Sequence, residues 1–445
     1  MTAHPEGTQG ASGEPITRDA TGEEVYSTLY TIRESPIQRG LIWTGSNDGP
    51  VWVTRDNGKT WTDVTPKDMP KGGRIQNIEP SPHRPGTAYF AGYRYLLGDF
   101  SPYIYRTDDF GKTWTKLTDG KNGIAADEPT RVVREDPARA GLLYAGTEFG
   151  MYISFDNGAH WQSFQLNLPH TPVTDIKLAH NDLIMSTQGR GFWILDNLGP
   201  LHQIKETSAG DSAILFTPRD AVRSGRRSEA MLEYYIGATP NADLKLEILD
   251  AKGQVARTYM GTPQEERPVV VDDEEGGGGR GRAPVVRLDK GPGFHRVTWD
   301  LRYSGAGPLA VPGKYNVRLT SGAWTNTQPL TVIEDPRIEV SQADLQEQFD
   351  HNSKVHDLLT EVNELIAKIR AVKDPAKKDE IETLAGHLIT PSIRYSKPEL
   401  QTEIQYLYQM TNGADEKIGN DAKERYNTLR KELDQRKAEL DRILR

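Results

Sequence analysis

The stretch TRDNGKTW, residues 54 to 61, packs an Asp, an Asn, a Gly and a Lys into eight residues and closes on a Trp. By composition it has the residues of a reactive loop. It occurs again as TDDFGKTW at 107 to 114 and as SFDNGAHW at 154 to 161, a pattern Ser/Thr-x-Asp-x-Gly-x-x-Trp. Trp61, Trp114 and Trp161 stand 53 and 47 residues apart. A motif recurring at one place in successive units of about 50 residues marks a repeat architecture rather than a single site.

The flanks repeat with it. Ahead of each octet stands an apolar segment ending in a small-residue turn: GLIWTGSNDGPVWV, GTAYFAGYRYLLGDFSPYIY and GLLYAGTEFGMYIS. Before those come TLYTIRESPIQRG, RIQNIEPSPHRPG and RVVREDPARAG, strand-like and closing on proline turns. A fourth unit, VTDIKLAHNDLIMSTQGRGFWILDNLG, keeps the strands and loses the octet, with Asp196 and Gly199 as its remnant. Four short strands in about 50 residues is the period of a β-propeller blade. The octet lies between the last two strands of its unit and is therefore a hairpin turn. Asp or Ser/Thr there accepts hydrogen bonds from unpaired N–H groups, Gly supplies the backbone shape, and Trp covers the corner. Asp56, Gly58, Trp61, Asp109, Gly111, Trp114, Asp156, Gly158 and Trp161 are accordingly expected to be structural.

These residues carry a family resemblance. The octet matches the Asp-box of the bacterial neuraminidase repeat, known from sialidases and sortilin-type receptors. The wording GSNDG, RYLLGDF, YRTDD, YAGTEFG and GRGFWILD, followed by a sandwich and a helical tail, resembles the C-terminal half of long bacterial sortilin-like repeat proteins across most of residues 5 to 445. Many of these are labelled glycosyl hydrolases on repeat similarity alone. The resemblance implies a propeller that binds ligand away from the boxes. Such proteins carry further blades upstream, whereas this chain starts partway through one, residues 1–25 resembling the tail of a preceding blade. Four blades are the lower limit for a closed ring. The four blades over 26–205 therefore either close a small ring or, the reading preferred, form part of a larger one, truncated here or completed by another polypeptide.

After LGPL (198–201) the texture changes. Residues 210–335 alternate at sandwich spacing, and GFHRVTWDLRY with VPGKYNVRL resembles a small immunoglobulin-like β-sandwich. Its insert DDEEGGGGRGRAP (272–284) reads as a flexible loop, since no Gly-Lys-Ser/Thr and no helix follow the glycines. From about 340 to 445 the apolar period becomes helical. Leu358, Leu359, Val362, Leu365, Ile366, Ile369 and Val372 share one face, and Tyr426, Leu429, Leu433, Leu440 and Ile443 another. The spacing predicts helices near 341–372, 376–389, 397–411 and 415–444, packed as an antiparallel bundle.

Composition narrows the function. The 445 residues carry a formal net charge of −9, which argues against a nucleic-acid partner. There is no cysteine, so disulfides, thiolate metal sites and cysteine nucleophiles are excluded together. His351 and His356 do not share a helix face, and neither a metal nor a cofactor is expected. No apolar run reaches membrane-spanning length. The start MTAHPEGTQGASGEP lacks the pattern of a secretion signal, so an extracytoplasmic location is expected only if the chain is the end of a longer family member, and a cytoplasmic one otherwise.

Blade topology then directs the search. With strands running antiparallel from the axis outward, the turns joining strands 3 and 4 share a face with those joining 1 and 2. The 2-3 turns lie on the other. There GSNDG, GYRYLLGDFSP, GTEFG and TQGRG present Asn47, Asp48, Arg94, Tyr95, Asp99, Glu148, Phe149, Gln188 and Arg190, while Arg74 and Arg131 open innermost strands near the axis. Arginines, aromatics and carboxylates together suit peptides or glycans. Arg74, Arg94, Tyr95, Arg131, Glu148 and Arg190 are the expected ligand contacts. Asp48, Asp99 and Glu148 are the carboxylates available for glycoside hydrolysis, which needs two of them across one bond. The arginine triad that the resemblance implies for sialidases has no counterpart, and Tyr95 fits their tyrosine nucleophile by type only. Three functions follow: a noncatalytic propeller binding a peptide or carbohydrate, a glycoside hydrolase, or a structural half-propeller that needs a partner.

Overall fold

The computed structural model describes residues 1–3, 27–204, 213–224, 228–261, 286–304 and 306–445. The 272–284 loop and all but three residues of the 1–25 lead-in lie outside them. The chain divides into two units, Met1–His202 and Gln203–Arg445.

The first unit is a series of antiparallel sheets whose strands are hydrogen-bonded in chain order. The first sheet holds β1 (Leu29–Glu34), β2 (Ile42–Ser46), β3 (Val51–Thr54) and β4 (Thr62–Asp63). The second holds β5 (Arg74–Pro80), β6 (Ala88–Arg94), β7 (Asp99–Thr107) and β8 (Thr115–Lys116). The third holds β9 (Thr130–Glu135), β10 (Leu143–Thr147), β11 (Met151–Ser154) and β12 (Gln162–Ser163). The fourth differs from expectation in having only three strands, β13 (Val173–Ala179), β14 (Asp182–Thr187) and β15 (Phe192–Leu195). Without an octet no corner returns the chain. It turns instead at Asn197, φ 63°, into the short helix α1 (Gly199–Gln203).

The sheets stack face to face. The first strands pack in succession, β1 on β5, β5 on β9 and β9 on β13, with no comparable packing of β13 on β1 among the described residues. Trp43, Val53, Ile75 and Phe90 fill the first junction, Tyr89, Ile104, Val133 and Trp161 the second, and Val132, Tyr144, Ile176 and Met185 the third. Alternation along each strand sends one set of side chains to the preceding sheet and the other to the next. This is propeller-type packing.

Each octet is the corner between the last two strands of its sheet. In the first, Thr54 Oγ1 accepts from the Gly58 N–H at 2.9 Å, and Asp56 accepts from the Thr60 N–H at 2.9 Å and the Thr60 hydroxyl at 2.6 Å. Thr107 with Asp109 and Ser154 with Asp156 repeat the arrangement. The Thr60 hydroxyl, followed by its N–H, holds the Asp56 carboxyl down at about 2. The backbone turns left-handed at two successive residues, Asn57 and Gly58, then Phe110 and Gly111, then Asn157 and Gly158. The first residue of each pair donates its N–H to a glycine carbonyl of the 1-2 turn, from Asn57 to Gly40, Phe110 to Gly86 and Asn157 to Gly141. Both kinds of turn therefore occupy one face, as the topology predicts.

The tryptophans do more than cover corners. Trp114 Nε1 donates to the Val64 carbonyl at 2.6 Å and Trp161 Nε1 to the Leu117 carbonyl at 3.0 Å, in each case reaching the preceding sheet. Gly111 is pressed into the same junction, since a Cβ there would lie 2.6 Å from Val64 Cβ at a φ of 83°. Gly111→Ala is expected to lower stability by about 1–3 kcal/mol, the usual cost of a strained left-handed residue. The denaturation midpoint of the first unit measures this, and an unshifted midpoint would mean that the corner relaxes freely.

In the second unit, strands Ala213–Leu215, Ala230–Ile236 and Gly293–Trp299 form one sheet. Ala221–Arg223, Leu244–Leu249, Val255–Met260, Gly313–Ser321 and Trp324–Glu334 form the other. Tyr234, Leu246, Trp299 and Val317 belong to the core they enclose. Helices follow at Gln342–Ala371, Lys378–Gly386, Leu400–Thr411 and Asn420–Leu444, close to the expected spans. Ser341 caps the first by accepting from the Asp344 N–H. Of the two predicted stripes, Leu358 to Ile369 and Leu429 to Ile443 lie in the core that these helices share and Tyr426 packs partly buried against it, whereas Val372 falls outside, as the extended residue that ends the first helix. Among the described residues no helix is long and apolar enough to cross a membrane.

Candidate functional site

Arg74 opens β5 and Arg131 stands second in β9, so both project from first strands at the end where the 2-3 turns lie. Between them stands Tyr93, near the end of β6, and beyond it Tyr95 in the turn to β7. The four side chains and Tyr30 of β1 form a stacked series. Arg74 Cζ lies 4.5 Å from the Tyr30 ring centroid and 5.5 Å from that of Tyr93. Arg131 Cζ lies 5.2 Å from Tyr93 and 5.7 Å from Tyr95, and the two tyrosine rings stack at 4.8 Å. Cation–π contacts of this kind gain strength when desolvated, and Arg74, Tyr93 and Arg131 are all buried. Burial pushes the Tyr93 phenol up, against the pull of Arg74, so it stays neutral.

Acidic partners fix the rest. Glu148 in the turn after β10 accepts from Arg131 Nε at 2.6 Å, and the Tyr95 hydroxyl accepts from Arg131 Nη2 at 3.1 Å. Burial works against the Arg131 charge, yet the Glu148 contact outweighs it and the guanidinium is held above its usual range. Asp99 pairs with Arg94 and accepts from the Tyr103 hydroxyl at 2.7 Å. Burial raises the Asp99 carboxyl, but these bonds and those from Ser101 prevail and hold it at about 2. Asp48 is 1% exposed and turned inward, accepting from the Ser46 hydroxyl at 2.5 Å.

Of the expected ligand contacts, the structure brings Arg74, Tyr95, Arg131 and Glu148 together. Arg94 is in the same turn, directed to Asp99 and to the Lys71 carbonyl. Arg190 stands apart on the exposed turn of the fourth sheet, where its carbonyl accepts from Trp193 Nε1. Sequence reasoning missed Tyr30 and Tyr93, which lie within strands rather than in the turns where the search was directed. It also missed the apolar tips Leu96, Leu97 and Phe100, which are well exposed beside the cluster, as is Phe149. Two cavities of about 280 and 240 Å³ lie elsewhere, against the 1-2 turns, and contain none of the expected residues.

Residues 49–187 match the family model described as sortilin, neurotensin receptor 3. The sheet array is sortilin-like. Two curated relatives are similar to part of this chain: an oligoxyloglucan-reducing end-specific xyloglucanase of Emericella nidulans, 33% identical over 118 residues, and a vacuolar protein sorting/targeting protein 10 of Laccaria bicolor, 34% identical over 108 residues. Each alignment takes in 24% of this chain, and it spans only 13% and 6% of those relatives. Among solved structures, the GH74 xyloglucanase of Xanthomonas campestris aligns at TM-score 0.33 and 16% identity, over 48% of this chain and 35% of its own. YCF48 bound to D1 peptide aligns at 0.30 and 17%, over 51% and 66%.

Proposed function

We propose that this chain is a noncatalytic sortilin-like propeller segment that holds a peptide or glycan on the face of the 2-3 turns. One observation carries the reading: Leu96, Leu97, Phe100 and Phe149 stand exposed on that face around the stacked Tyr30, Arg74, Tyr93, Arg131 and Tyr95. Apolar tips supply contact area to a peptide or to a sugar face, and the arginine–tyrosine series beneath supplies positive charge and aromatic edges. On this reading the four sheets are four Asp-box blades of a larger ring, 210–335 is an immunoglobulin-like sandwich and 340–445 a helical bundle. If the chain is the C-terminal part of a longer family member, the protein would then work in the periplasm or be secreted.

The xyloglucanase relative favours hydrolysis as a second reading. The carboxylates weigh against it. A general acid needs a raised pKa, whereas Asp99 is depressed, Glu148 is engaged by Arg131 and Asp48 by Ser46. A third reading is the half-propeller completed by a partner that supplies further blades.

A glycan and peptide array, followed by titration of the best binder, tests the proposal. Leu97→Ser, Phe100→Ser and Phe149→Ser together are expected to weaken that binder by at least about tenfold, roughly 1.4 kcal/mol. These residues are exposed, so the fold is retained. Binding that ignores the triple change would place the ligand elsewhere.

A further inference from the structure

On the box side of the array, the far ends of the four first strands enclose the cavity of about 280 Å³. One residue at the same register position in each strand borders it. These are Arg33, Glu79, Arg134 and Lys177, paired across their hairpins with Trp43, Tyr89, Tyr144 and Ile184. Pro36, Pro80, Pro82 and Pro137 complete stiff walls that offer no N–H to a ligand. Polar recognition in this cavity therefore falls to the charged side chains.

Their pairing is uneven. Arg134 is fully committed, with 2.6 Å contacts to Glu79 and to Asp175 and its Nε donated to the Ile176 carbonyl at 2.7 Å. Glu34 and Glu135 turn back onto their own 1-2 turns, accepting from the Gly40 and Gly141 N–H groups. Arg33 and Lys177, on the first and fourth strands, make no hydrogen bond or ion pair among the described residues. Both act on Glu79 only through space. Although 20% of its side chain stays accessible, burial pushes the Glu79 carboxyl up against the pull of Arg134 first and then of Arg33 and Lys177. Of the three acids that border the cavity, Glu34 and Glu135 face their own turns and Glu79 is shared with Arg134, while on each outer strand stands a cation whose side chain forms no ion pair among the described residues.

We propose that this cavity binds a small dicarboxylate, one carboxylate on Arg33 and the other on Lys177. The guanidinium offers a fork to one end and the ammonium a point charge to the other. A volume of about 280 Å³ admits a four- or five-carbon diacid. Glu79 repels such a ligand and sets its spacing, so the site discriminates against bulky anions that would lie against it. The site lies on the opposite face from the aromatic cluster and does not depend on it.

The test is calorimetric titration of the whole chain with succinate, with acetate and sulfate as comparison anions. Succinate is expected to bind saturably and at least about tenfold more tightly than acetate, as two charge contacts exceed one. Arg33→Gln with Lys177→Gln should weaken succinate by at least about tenfold, and either change alone should bring it toward acetate. Neither side chain has a partner to lose, so circular dichroism should be unchanged. Glu79→Gln should tighten succinate, because it removes a negative charge while keeping the shape. No saturable binding, equal affinity for acetate or sulfate, survival of binding in the double variant, or weakening by Glu79→Gln would each overturn the proposal.

Discussion

Arg134→Ala is expected to destabilise the first unit by about 3–5 kcal/mol, the range found when one partner is removed from a buried ion pair. The side chain is 6% exposed and ties three consecutive first strands together, reaching Glu79 on β5 and both Asp175 and the Ile176 carbonyl on β13. Without it the Glu79 carboxylate, already pushed up by burial, loses the one ion-pair partner it has among the described residues and keeps only the through-space pull of Arg33 and Lys177. Most of the loss is therefore attributable to Glu79, and the variant Arg134→Ala with Glu79→Gln should recover a large share of it. Denaturant unfolding of the four variants of this cycle, followed by a probe within the first unit, gives the coupling directly. The probe must be local, because a chain of two units need not unfold in one step. A single-variant loss below about 1 kcal/mol would assign the pair the small value typical of exposed ones.

Arg223→Ala is expected to cost the second unit a similar amount, about 3–5 kcal/mol. Arg223 ends a short strand that pairs in parallel with Trp324–Glu334, and its side chain is 2% exposed. Its Nε and Nη2 donate to Asp415 Oδ1 at 2.9 and 2.8 Å, Nη1 to the Ala310 carbonyl at 3.0 Å, and Nη2 also to Gln348 Oε1 at 2.7 Å. One guanidinium thus joins a strand, the loop before Gly313–Ser321, the long helix and the turn ahead of the last helix. The Lys378–Glu382 pair, with both side chains about two-thirds exposed, provides the contrast, and its loss should be worth no more than about 0.5 kcal/mol. Equal effects from the two substitutions would show that burial does not govern these pairs.

Much of the array was legible because local chemistry repeats. An octet with Asp, Gly and Trp at fixed places can be only one thing three times over, and the corner bonds of Asp56, Asp109 and Asp156 follow from residue type. The helical tail was legible for the same reason, since its apolar period is long and regular. What escaped depends on neighbours distant in sequence. The hydrogen bond of Trp114 reaches 50 residues back and that of Trp161 reaches 44, which no spacing rule reveals. Tyr93 is an apolar-strand residue in sequence and an arginine platform in space. Asp48 is a turn-tip carboxylate in sequence, but Ser46 draws it inward. Arg134, in RVVRED, reads as one more charged strand residue until the strands on either side supply Glu79 and Asp175.

The backward reach of the indoles gives the array a polarity. The second and third sheets are each latched to the one before, and neither latch runs forward. Stability in such a row is a sum of nearest-neighbour couplings, as in a one-dimensional chain of linked units. The fourth sheet, which has neither an octet nor a tryptophan latch of this kind, meets the third through its apolar face and Arg134, with the His202–Asp136 and Arg139–Leu201 contacts added by the helix that follows it. Fraying should therefore begin at that end and travel toward β1, so that the order in which amide protons exchange would read out the direction of the chain.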